Sequence, residues 1–93
     1  QRGGKVYFDS RKQPLLPLHE GSRILDVLSV GIDRKFTPIV TIQENGEAEC
    51  FRLPNELSGW VYSVVGMATD GINFFPAKVI FSNINGRYYA NIL

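Results

Sequence analysis

The chain has little of what most enzymes and metal centres are built from. Its 93 residues include one cysteine, Cys50, and one histidine, His19. A single cysteine makes no internal disulfide and no CxxC pair, and its use as a lone thiol fits a reducing intracellular compartment better than an oxidising one. A zinc site takes four Cys or His ligands at recognisable spacing, which two such residues cannot supply. Catalysis by a nucleophile and a base asks for a histidine, or a substitute base, within reach of a serine or cysteine. His19 lies in a proline-rich connection, and no motif around it brings it to Cys50. The glycine patterns of the P-loop and of dinucleotide-binding folds are missing as well. These gaps lead to the expectation of a non-catalytic chain without a cofactor or a metal.

Long apolar runs are missing too. The longest falls far short of the ~20 residues that a spanning helix needs, so a soluble domain with no membrane contact is expected. The chain opens Gln1-Arg2-Gly3-Gly4 without an initiator methionine, and its single methionine is Met67. This points to a piece excised or processed from a longer parent, and an upstream signal peptide stays open. Composition is otherwise that of an ordinary globule, with 44% hydrophobic and 20% charged residues. A chain of this length makes one domain that buries roughly two-thirds of its unfolded surface.

Net charge is only +1, yet the charges are unevenly spread. Residues 1–35 carry seven Lys/Arg against four Asp/Glu, residues 36–57 carry Arg52 against four Glu, and residues 58–93 carry Lys78 and Arg87 against Asp70. Such segments either build a bipolar surface or are mixed by the fold.

The clearest structural signal is the stretch over residues 35–57. A β-branched run at residues 36–43 is followed by Glu44-Asn45-Gly46-Glu47 and a second run at residues 48–53. Asn-Gly between apolar runs is the strongest short-range hairpin signal, because a type I′ turn needs φ > 0 at both central positions. Pro54 then stops the strand, and Asn55 is placed to cap a short helix over residues 55–67, where Leu57, Trp60, Val61, Val64 and Val65 recur at roughly helical spacing. Gly59 and the valines weaken that helix, and residues 61–67 could instead be a buried strand.

Ahead of this hairpin, residues 23–32 predict a long bent strand with Gly31 as its bulge or close-approach point, with a helix over residues 22–30 capped by Ser22 as the alternative. Ile24, Leu28, Val30 and Ile32 take one parity of that strand, and Leu25, Val27 and Ser29 take the other. After the helix, Thr69-Asp70-Gly71 marks a turn, residues 74–81 a strand opened by Pro76, Asn85-Gly86 a second hairpin turn, and residues 87–93 the returning strand. Residues 1–21 read as an N-terminal extension or edge hairpin, with short β-like runs at residues 5–10 and 15–18; Pro14 and Pro17 bar the second run from a central position.

Residues 22–93 thus run strand, strand, strand, helix, strand, strand. That order resembles the OB-fold, a small five-stranded Greek-key β-barrel with one short helix between strands three and four. The junction at residues 51–57 and the two Asn-Gly turns are similar to those of small single-stranded-DNA-binding proteins of viruses and mobile elements. The resemblance implies that single-stranded DNA or RNA crosses strands two and three and the loops beside them. It places Arg34, Lys35 and Phe36 in or beside the first loop, Arg52 on the third strand, Lys78 among the basic contacts, and Arg87 and Tyr88 beside the last turn. Stacked aromatics hold bases of any sequence, while Lys and Arg neutralise phosphates.

Plainer readings stand beside these. Phe36, Phe51, Trp60, Phe74, Phe75 and Phe81 are about the number of large residues that a β domain of this size puts in its core. Tyr7, Tyr88 and Tyr89 are the aromatics expected outside, with Tyr88 and Tyr89 on opposite faces of a strand. Cys50 reads as a small buried hydrophobe. Glu44, Glu47 and Glu49 read as a solvated rim, and that rim would repel a nucleic-acid strand. A second class of function, a protein-interaction or structural module of a viral or secretion assembly, follows from the near-neutral charge. Its contacts would be edge strands that pair with another copy or a partner.

Overall fold

The structure, a computed structural model, describes residues 13–93. Tyr7 and the β-like run at residues 5–10 lie outside the described residues. Five strands follow in chain order: β1 (Gly21–Ile32), β2 (Pro38–Glu44), β3 (Glu47–Arg52), β4 (Ala77–Ile84) and β5 (Arg87–Ile92). Between β3 and β4, a 3-10 turn (Asn55–Leu57) leads into helix α1 (Ser58–Thr69). All strand pairs are antiparallel, in the order β3-β2-β1-β4-β5. The described chain is therefore mainly β with one short helix, which lies between the third and fourth strands as expected.

The long first strand is shared. Its first half pairs with β4, from Gly21 opposite Asn83 to Val27 opposite Ala77. Its second half pairs with β2, from Asp26 opposite Gln43 to Ile32 opposite Pro38. The register shifts between Val27 and Ser29, leaving Leu28 as the extra residue. The bend thus lies at Leu28 and not at Gly31, where an added Cβ would meet only Ile39 at 3.9 Å. An extra residue flips the parity of everything after it. Leu25 and Val27 face the core before the bulge, and Val30 and Ile32 face it afterwards, so neither single parity read from the sequence is the core face.

Both Asn-Gly turns take the expected geometry, with φ of 53° at Asn45 and Asn85 and 80° at Gly46 and Gly86. Strand starts shift by one residue at β3, which begins at Glu47, and at three further places. β1 begins at Gly21, β4 begins only after Pro76, and β2 begins at Pro38 because Phe36, at φ 62°, cannot be extended strand. The helix starts later than its sequence signals and is not capped by Asn55. Pro54 directs the chain into the 3-10 turn, where its carbonyl accepts from the Leu57 N–H at 2.9 Å. No side chain caps either helical segment. Packing settles the helix where propensity was ambivalent: Val61 and Val64 are buried, and the Trp60 ring meets Phe81 edge to face at 6.0 Å.

The core gathers Leu25, Val27, Val40, Ile42, Leu53, Leu57, Val61, Val79 and Phe81. Leu16 joins them at 2% exposure, so the segment ahead of β1 is packed on the body. The sheet is open: β3 and β5 are its two ends and do not pair with each other. The segment before β1 takes the free flank of β3 at its last residue. The Arg52 N–H donates to the Pro14 carbonyl at 2.8 Å, and the Leu16 N–H donates to the Arg52 carbonyl at 2.8 Å. Those are the Arg52 backbone groups that pairing with another strand would need.

Candidate nucleic-acid interface

Residues 33–37 join β1 to β2 in a tight loop organised by Asp33. Its backbone N–H donates to the Thr37 carbonyl at 3.0 Å, and its carbonyl accepts from the Phe36 N–H at 3.0 Å. Its carboxylate oxygen Oδ1 also accepts the N–H groups of Lys35 at 2.8 Å and Thr37 at 2.9 Å. Aspartate suits this place because its short carboxylate reaches the backbone two residues on. In the sequence, the signal for this role is an aspartate opening a turn.

The product of this lattice is Phe36. The residue is 74% exposed, and its backbone sits at φ 62°. A bulky residue in the left-handed region is a true conformational outlier. The core reading of Phe36 is therefore overturned, while Phe81 is buried and Phe51, Trp60 and Phe75 are half-buried against the core. Phe74 lies 37% exposed in the connection before β4. Arg34 and Lys35 are exposed beside Phe36, so the loop carries two cations and one ring.

The remaining candidates do not join them. Arg52, at the end of β3, is half-buried, and its Nε donates to the Gln13 carbonyl at 2.8 Å, which ties the guanidinium to the segment ahead of β1. The Lys78 Nζ lies 2.8 Å from Asp26 Oδ1 across the β1–β4 ladder. Arg87 is exposed at the start of β5, and Tyr88 is half-buried against the core. Tyr89, on the opposite face, is 49% exposed. Arg87 and Tyr88 pair with Ile84 and Asn83, beside the first residue of β1. Arg34, Lys35 and Phe36 follow its last residue. Twelve residues of strand separate the two groups, a contour of about 40 Å.

The acidic rim lies at the β2–β3 turn, where Glu44, Glu47 and Glu49 are exposed. Glu44 is paired with Arg23 at 3.2 Å. Among the described residues, no three His, Cys, Asp or Glu side chains are grouped to hold a metal ion, and no helix is long and apolar enough to cross a membrane. Cys50 is buried, as its composition suggests. Burial pushes its thiol pKa up, against a smaller downward pull from a hydrogen bond with Thr41, its partner across the ladder. A raised pKa keeps the thiol protonated and unreactive. A notch of about 150 Å³ between α1 and the β1 bulge, lined by Leu28, Val30, Val64, Val65 and Phe75, is too small for a typical ligand pocket.

No protein-family model, curated protein or solved structure matches the chain.

Proposed function

We propose that this chain is a non-catalytic module that binds single-stranded nucleic acid, DNA or RNA, through the β1–β2 loop. The observation that carries the reading is Phe36: an exposed ring, held in a strained backbone by the Asp33 carboxylate, with Arg34 and Lys35 beside it. Strain of this kind persists only where the surrounding structure over-determines it, and it gathers at ligand clamps. An aromatic face stacks on any base for roughly 1–3 kcal/mol, and a rigid loop loses little freedom on binding. Phosphates then need cations at the loop, which Arg34 and Lys35 supply.

An OB-like barrel is the fold that goes with this reading. Five strands, a helix between the third and fourth, and a first strand shared between β2 and β4 support it. In that fold the first loop and the loop between strands four and five flank the nucleic-acid path. Arg87 is the contact proposed for the far end of the path, and Arg52, Lys78 and Tyr88 contribute less, because Arg52 and Tyr88 are half-buried and Lys78 lies opposite Asp26 in the middle of β1, away from both loops.

The deciding experiment is fluorescence anisotropy of a labelled single strand of about 20 nucleotides at low and moderate salt, with duplex as control. Saturable, salt-sensitive binding that prefers the single strand is expected, and Lys35→Ala should reduce the salt slope by about 0.7. No binding at low salt, where the electrostatic attraction is greatest, overturns the reading. A second reading, a protein-interaction module, is favoured by β5, which ends the sheet and whose only charged side chain is that of Arg87. Such an edge can accept an added strand from a partner.

A further inference from the structure

The outer flank of β3 is only partly filled. In the two-residue Asn45-Gly46 hairpin, Glu47, Glu49 and Phe51 exchange backbone hydrogen bonds with β2, so Ala48, Cys50 and Arg52 turn their N–H and C=O groups away from it. Among the described residues only Arg52 has partners on that side, the Pro14 carbonyl and the Leu16 N–H. Ala48 and Cys50 present an edge of donors and acceptors that can take up another strand. The side chains along this edge are acidic. Glu47 and Glu49 share one face of β3, both are exposed, and neither has an ion-pair partner among the described residues.

Three features of the chain select what covers the edge. The first is direction. Leu15 bridges Arg52 in the parallel sense, so the residues ahead of it are aimed back along β3 toward Glu47. The second is length: residues 47–50 span about 13 Å of strand, and the twelve residues ahead of Gln13 exceed that several times over. The third is charge, because those twelve carry Arg2, Lys5, Arg11 and Lys12 against Asp9.

We propose that residues 10–13 of the same chain pair with β3 as a short parallel sixth strand, setting Lys12 against the acidic rim. The bridge between Leu15 and Arg52 sets the register: Gln13 lies opposite Cys50, Lys12 opposite Glu49, Arg11 opposite Ala48 and Ser10 opposite Glu47. The Cys50 N–H then donates to the Lys12 carbonyl, the Lys12 N–H to the Ala48 carbonyl, and the Ala48 N–H to the Ser10 carbonyl. Pro14 has no N–H for the Cys50 carbonyl, a gap that an edge strand tolerates. Lys12 stands beside Glu49 and diagonal to Glu47, an attractive pairing across a ladder. The anchor at Pro14 and Leu16 favours this segment over a second copy, since a short tether holds it at the edge at an effective concentration in the mM range. Part of the charge that would repel a nucleic-acid strand is thereby neutralised, and β5 remains as the end of the sheet open to a partner.

Hydrogen exchange of the backbone amides, followed by NMR on the whole chain without nucleic acid, tests this. The Lys12, Ala48 and Cys50 amides are expected to exchange at least about tenfold more slowly than in an unstructured chain, equally at about 50 and about 500 µM protein. Lys12→Glu should lower the protection of all three by about twofold to tenfold, and Lys12→Glu/Glu49→Lys should restore it. Free exchange at Lys12 and Ala48 in the wild type overturns the assignment. Protection that fades on dilution overturns it too, by giving the edge to a second copy. Protection untouched by Lys12→Glu overturns the register. With no nucleic acid in solution, the outcome is independent of the binding reading.

Discussion

Three connections join neighbouring antiparallel strands, and they meet the same demand for left-handed backbone in two different ways. The β2–β3 and β4–β5 turns give their positive φ values to Asn-Gly pairs, with φ of 53° and 80° in both. Those residues adopt such angles at little cost. The β1–β2 loop gives its one positive φ to Phe36. An L-residue in that region costs roughly 1–2 kcal/mol, and a bulky one is seldom found there. Asp33 holds the loop by accepting two backbone N–H groups on one carboxylate oxygen. The relaxed turns reverse the chain without straining it. The strained loop reverses it and also presents a ring to solvent, which is why the binding reading rests on it.

The largest effect separating the two kinds of connection should appear in binding. Phe36→Ala is expected to weaken single-strand affinity by about 5- to 150-fold, the loss of one stacked base. Asn45→Ala at the relaxed β2–β3 turn, beside the acidic rim, should leave affinity within about twofold, and anisotropy titration reads both. Equal losses at the two sites would mean that the loop has no special role.

Stability should separate them next. Asp33→Ala removes the acceptor of two N–H bonds and should cost about 1–2 kcal/mol in urea unfolding. It should weaken binding as well, because the ring is no longer held in place. Phe36→Gly should act in the opposite direction on stability. It relieves the left-handed strain at a smaller cost in chain entropy, for a net gain of about 0.5–1 kcal/mol, while affinity falls as far as in Phe36→Ala. A loop variant that is more stable and binds worse would locate strain and function in one residue. A Phe36→Gly chain less stable than wild type would show that the ring contributes packing and that the backbone is not strained.

How far the sequence could be read follows the same division. Asn45-Gly46 and Asn85-Gly86 were legible because the residues and the geometry agree. Phe36 was hard to read for the opposite reason: no local rule places phenylalanine at a positive φ, so it passed for the start of a strand and a core residue. The β1 bulge hid in the same way. Leu28 gives no sign of being extra, and only the change of inward parity from Val27 to Val30 reveals it. Arg34 and Lys35 were legible as a basic loop. That Arg52 and Lys78 would be engaged elsewhere depends on Gln13 and Asp26, which lie 39 and 52 residues away in the chain. The burial of Leu16 likewise depends on a contact with β3 that Pro14 and Pro17 give no reason to expect.

The smallest expected effect tests whether a relaxed turn alone fixes its hairpin. The Asn45-Gly46 turn sets the register that places Cys50 opposite Thr41, and a slip of one residue would move Cys50 to the other face. Burial raises the Cys50 thiol pKa above its ordinary value. Between the unfolded and native pKa values the native chain then holds more protons than the unfolded one, so stability falls as pH rises. The contribution of Cys50 should be complete below about pH 8 and decline as pH passes the ordinary thiol range near 8.5 and continues upward. Urea unfolding of wild type and Cys50→Ala at several pH values isolates it, since only the wild type should show this alkaline decline. Iodoacetamide should label the native thiol far more slowly than the urea-unfolded one. Rapid labelling of the folded chain, or identical alkaline slopes in the two proteins, would place Cys50 in solvent and the hairpin in another register, and the comparison between relaxed and strained connections would lose its reference.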